Sequence, residues 1–155
     1  YLFIYTQIHP ANSGVRFEFN MSTDSGSNYN IPKTSTFFEA YHNEGGSGQS
    51  LGYETGEDLA NGTGFQSLIR NFGNDNDQCA SGYVYLFSPY STTHVKKYIS
   101  ESSGFHESDY NLHEFCHGYG NTTSAVNAVR FQMNSGAIDS GKIKLYGIKE
   151  WVLLN

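Results

Sequence analysis

The sequence predicts an all-β fold, a β-sandwich of jelly-roll type, in a single domain over residues 1–155. Three observations predict it. Short runs alternate apolar and polar side chains with the two-residue period of a half-buried strand. Turns of Gly, Asn, Ser and Asp separate the runs, and these residues tolerate left-handed backbone or bond their own backbone. The chain is 15% aromatic, mostly Tyr and Phe, and only 15% charged, against about 25% charged in an ordinary soluble domain. That aromatic content excludes a disordered chain, and 155 residues can bury a sizeable core.

Residues 1–8 (YLFIYTQI) read as a strand apolar on both faces, and 10–14 as a turn. Residues 15–21 alternate cleanly, with Val15, Phe17, Phe19 and Met21 inward and Arg16, Glu18 and Asn20 outward. A polar loop runs from 22 to 33, where Pro32 excludes a central strand, and an aromatic strand follows at 36–42. The glycine-rich stretch 44–64 carries a short strand at Leu51 and Tyr53 and one helical turn at 57–60. Residues 65–72 read as a strand and 74–78 as a polar turn. Residues 83–87 (YVYLF) are apolar on both faces, as in a central strand, and Pro89 ends them. Strands follow at 94–100 and 112–119, with a loop at 104–111 between them.

The closing stretch is the clearest. Val129, Phe131 and Met133 alternate with Arg130, Gln132 and Asn134; Ile143 and Leu145 alternate with Lys142 and Lys144. The connector 135–141 is Ser- and Gly-rich, so the two strands form a long hairpin or pass to opposite sheets. Gly147 is expected to be a bulge that returns Ile148 to the buried face. About nine strands result. The expected core is Val15, Phe17, Phe19, Val84, Leu86, Val129, Phe131, Ile143 and Leu145.

Charge and length exclude some functions. A net charge of −6 argues against nucleic acid, whose phosphates need clustered Lys and Arg. No apolar run approaches the roughly 20 residues of a membrane-spanning helix, so no membrane insertion is expected. The chain begins at Tyr1 and not at Met, so a preceding N-terminal segment is expected. Cys79 and Cys116 are expected to be free thiols.

His113-Glu114-Phe115-Cys116-His117 fits H-E-x-x-H. That motif binds zinc only on a helix, where His at i and i+4 share a face and the Glu acts as general base. Here the surroundings read as strand, and on a strand the two imidazoles lie about 13 Å apart. A zinc hydrolase is therefore the third and least favoured function. Asp75 and Asp77 could ligate calcium but lack the glycine and distant glutamate of an EF-hand loop. Asn20, Asn61 and Asn121 open N-x-S/T sequons, which matter only in a eukaryotic secretory pathway. No catalytic residue and no cofactor is assigned.

The segments RFEFNMSTDSGSNYN, FFEAYHNE, YVYLFSP and GYGNTTSAVNAVRFQMNSGAIDSGKIKLYGI carry a resemblance. From about Val15 onward the chain resembles small virion-type proteins of marine tailed bacteriophages. The most specific part is the closing S-G-x-I-x-S-G-x-I-x-L-Y-G-I pattern. The resemblance implies a non-enzymatic structural protein on the particle surface, decorating the capsid or belonging to the tail, with other virion proteins as partners. It brings no site residues. A tail-fibre module that binds a host-surface glycan is the alternative, since exposed tyrosines can stack on sugars. The apolar tail Trp151, Val152, Leu153 and Leu154 must dock on the fold or on a partner, which points to a homo-oligomer. A trimer is expected by analogy with jelly-roll virion proteins.

Overall fold

A computed structural model describes residues 1–149. Ten strands follow in chain order: β1 (Leu2–Pro10), β2 (Val15–Ser22), β3 (Lys33–Asn43), β4 (Gln49–Tyr53), β5 (Gln66–Phe72), β6 (Ala80–Leu86), β7 (Lys96–His106), β8 (Tyr110–Gly120), β9 (Ala128–Met133) and β10 (Ile138–Tyr146). All pairings are antiparallel. A large sheet runs β10-β1-β6-β7-β8-β3-β4. A smaller one runs β5-β2-β9 and joins the first at a single pair, Phe72 with His106.

The small sheet covers the inner face of the large one. Phe17 meets Tyr5 edge-on at 5.2 Å, Phe19 meets Tyr98 at 5.1 Å, and Phe131 meets Phe3 at 5.3 Å. Around them Val15, Met21, Phe37, Leu68, Ile69, Phe72, Val84 and Leu86 are buried. The all-β sandwich expected from the sequence is thus present; the jelly-roll refinement rests on the sequence pattern alone.

Two close approaches fix how the large sheet packs inward. Tyr5 lies over Gly82 on the neighbouring strand, where a Cβ would come within 2.6 Å of its hydroxyl oxygen. Tyr98 lies over Gly118 in the same way. Each glycine makes room for a buried tyrosine crossing the sheet, and the ring covers the backbone that glycine leaves bare.

Several expectations need correction. Ile143 and Leu145 are not core residues: they are 39% and 57% exposed. Their face was read correctly, since they pair with Tyr5 and Phe3. The covering sheet ends at β9, however, and does not reach β10. Val129 and Phe131 are only partly buried, packed against the core from that outermost strand. Of the two arrangements expected for β9 and β10, the structure has the second: they pair with β2 and β1, in opposite sheets. The bulge is not at Gly147, which follows β10, and Ile148 is 48% exposed. The register instead shifts where Gly141, at φ +122°, packs against the backbone of Gln7 and Ile8. The loop expected at 104–111 is mostly strand, with a tight turn between His106 and Tyr110. No helical turn forms at 57–60. The proposed assembly residues Trp151, Val152, Leu153 and Leu154 lie outside the described residues.

Candidate functional site

Three features are built from the strands: a buried polar row, an aromatic outer face and the two end strands of the large sheet. The buried row crosses the inner face at one register level, Tyr5–Gly82–Ser102–Glu114–Glu39. The Tyr5 hydroxyl bonds Ser102 Oγ. Glu39 and Glu114 face each other from adjacent strands and are only 2% and 1% exposed. Arg70, reaching across from β5, holds Glu39 with its guanidinium; Nε lies 2.9 Å from Oε2 and Nη2 binds Oε1. Its backbone N–H donates to both oxygens of Glu114 at 3.1 and 3.3 Å. Glu54 adds a contact at 3.4 Å. Burial pushes the Glu114 carboxyl well above the usual range, against the pull of the Arg70 N–H. Chemically this is a carboxyl beside a carboxylate, the pairing that glycoside hydrolases use. Here both groups are sealed in the core, so the pair organises packing and does not meet a substrate.

Other buried charges are satisfied in the same manner. Lys33 Nζ donates to Asn20 Oδ1 at 2.7 Å and to the Ile31 carbonyl at 2.9 Å, and burial draws its amine down to about 7. Lys96 Nζ donates to the carbonyls of Ser91 and His94. Arg16 forks onto Glu57.

On the outer face, Leu2, Tyr85, Ile99 and His117 form one cross-strand row, and Ile4, Tyr83, Glu101, Phe115 and Phe38 the next. Glu101 sits centrally. It accepts from the Tyr83 hydroxyl at 2.9 Å and lies 2.7 Å from His113 Nε2; these bonds, Tyr83 first, hold its carboxyl below the usual range. Phe38 stacks on Phe115 at 4.8 Å, and Tyr85 on Phe87 at 4.3 Å.

The H-E-x-x-H residues lie on β8, as the strand reading expected. His113 and His117 point outward while Glu114 points into the core. The three therefore cannot share one metal. Among the described residues no group of three or more His, Cys, Asp or Glu converges on a metal-sized site. Asp75 and Asp77 lie in the β5–β6 turn, which Gln78 closes by donating its N–H to the Asp75 carbonyl at 2.9 Å. Cys79 and Cys116 are both free thiols. Asn20 is fully buried and donates to the Tyr29 carbonyl, so its sequon is closed to modification in the fold.

Among the described residues the large sheet ends on β10 and β4, each paired on one side only, and β9 ends the small sheet in the same way. Of the exposed large apolar residues, Leu51 and Tyr53 lie on β4; Ile143, Leu145, Tyr146 and Ile148 lie on or just past β10. Tyr1 and Tyr90 join the β10 group across two adjoining clefts, which they line with Leu145 and Ile148. Comparison with protein-family models, with curated proteins and with solved structures gave no match.

Proposed function

We propose that this protein is a non-enzymatic structural component exposed on a tailed-phage particle, working as a homo-oligomer, most simply a trimer, beside other virion proteins. The observation that carries the assembly part is the gathering of exposed apolar side chains at the two ends of the large sheet. Burying such surface stabilises contact by about 25 cal/mol per Å², and an assembly removes edges that would otherwise template aggregation. The non-enzymatic part is supported by the state of the reactive groups. Glu39 and Glu114 are sealed and bonded by Arg70, and Glu101 is bonded by Tyr83 and His113. The virion part is supported by the closing strand–loop–strand signature.

Immunogold electron microscopy of the phage that encodes the chain tests this reading. Dense label over the shell is expected for a capsid decoration, and sparse label at one end for a tail component. Virions without label overturn it. A second reading, binding of a host-surface glycan, is favoured by the Tyr83–Glu101–His113 cluster on the open face. It is weakened because the Phe38–Phe115 and Tyr85–Phe87 rings spend faces on each other. Retention on a glycan array, lost in Glu101→Ala, would favour it over the structural reading.

A further inference from the structure

We propose that copies of this chain join head to tail, the free edge of β10 in one copy meeting the free edge of β4 in the next. The inference rests on the assembly reading above and gives it a specific interface.

The two edges are alike in being open and opposite in charge. On β10 and just beyond it, Lys142, Lys144 and Lys149 are exposed, three of only nine basic residues in the chain, against one acid on the strand, Asp139. β4 itself is uncharged; beside it lie Glu44 and Asp58, the latter held by the Tyr53 hydroxyl at 2.6 Å, and Glu54, which already meets Arg70 at 3.4 Å. Each edge also carries bare apolar side chains: Leu51 at 72% and Tyr53 at 51% on β4, Leu145 at 57% and Tyr146 at 45% on β10.

These features select the occupant. A β10–β10 contact would bring the lysines together, which is unfavourable, and a β4–β4 contact would bring no opposite charge to Glu44 and Asp58. A β10–β4 contact brings opposite charges together and puts Tyr146 on the same face as Leu51 and Tyr53, while Ile143 and Leu145 lie on the other face. Because both edges belong to one chain, a second copy satisfies them with no foreign partner. Strand direction adds a geometric consequence. Antiparallel pairing alternates from β10 through β1, β6, β7, β8 and β3, so β4 runs in the direction of β10. A ring whose axis follows the strands therefore joins the edges in parallel. Such a contact is heterologous, and it avoids open filaments only by closing.

The test uses light scattering and native mass spectrometry on the full chain. The parent protein should have a mass that is a small multiple of the chain mass. Leu145→Glu puts a negative charge on the basic edge, and Leu51→Lys a positive charge on the acidic edge. Each variant alone should be monomeric, with a strand-dominated circular dichroism spectrum like the parent's. An equimolar mixture should form a two-chain species, because the intact β4 edge of the Leu145→Glu variant meets the intact β10 edge of the Leu51→Lys variant while the two altered edges keep the ring from closing. Should either fail to fold, Lys144→Glu and Asp58→Lys repeat the design at surface charges. A parent that is monomeric at every concentration overturns the inference, as does a mixture that stays monomeric or a single variant that keeps the parent's mass. Label on virions with a monomeric chain would end this inference and leave the virion reading standing. An assembled chain absent from virions would do the reverse.

Discussion

Arg70 is the residue whose loss the fold should feel most sharply. Its guanidinium neutralises Glu39, which is 2% exposed, and its backbone N–H serves Glu114, which is 1% exposed. Arg70→Met keeps the aliphatic stem and the backbone bond but strips Glu39 of its only guanidinium partner. Removing one member of a buried ion pair costs about 3–5 kcal/mol, because the remaining charge is left in a medium that cannot solvate it. For a domain of this size each kcal/mol lowers Tm by roughly 2–4 °C, so a fall of about 6–20 °C is expected in a calorimetric scan at pH 7. Arg70→Lys should fall between, since an ammonium restores charge but not the two-pronged fit. A loss under about 1 kcal/mol for Arg70→Met would refute the reasoning.

Three further outcomes are expected. Because the fold holds the Glu114 proton more tightly than the unfolded chain does, its contribution is full below the unfolded value of about 4.3. The contribution is lost as pH rises from there through the raised value in the fold. Glu114→Gln imitates the protonated form, so its urea midpoint should exceed the parent's at pH 8 and match it near pH 4. Gly82→Ala places a methyl 2.3 Å from the Glu101 carbonyl and 2.6 Å from the Tyr5 hydroxyl. It should cost about 1–3 kcal/mol by urea unfolding; an unchanged midpoint would mean Tyr5 moves aside freely. Phe17→Ala empties a site that is 0% exposed, between Tyr5 and Phe131, and should cost about 3–5 kcal/mol.

Local alternation made most strands legible. Residues 15–21 gave β2 almost to its ends, and the YVYLF run marked β6 as central. What alternation cannot encode is which faces find a cover. Ile143 and Leu145 point the same way as Tyr5 and Phe3, yet they are exposed because the small sheet has only three strands. That is a property of long-range pairing, and the period within β10 is the same whether or not a second layer lies over it. The sharp turn between β7 and β8 was missed because 104–111 is rich in Ser, Gly, Asp and Asn. Pairing along both sides of β7 overrides that weak local preference.

The buried carboxyl pair was hidden for a related reason, although a signal for it was present. Glu39 has the same parity as Phe37, and Glu114 the same parity as Leu112 and Cys116. An acid at an inward position of an alternating strand must find a partner. The sequence therefore contains two such demands, and the partner comes from Arg70, whose neighbours Leu68 and Ile69 are both buried. Within H-E-x-x-H the two histidines point out of the sheet and the glutamate points in. The same parity argument accounts for the edges. On β4 and β10 neither alternate set of side chains is reliably covered, so apolar residues there cost solubility unless another strand arrives. Lys142, Lys144 and Lys149 against Asp139 at the β10 end, and Glu44 and Asp58 at the β4 end, restrict which strand that is.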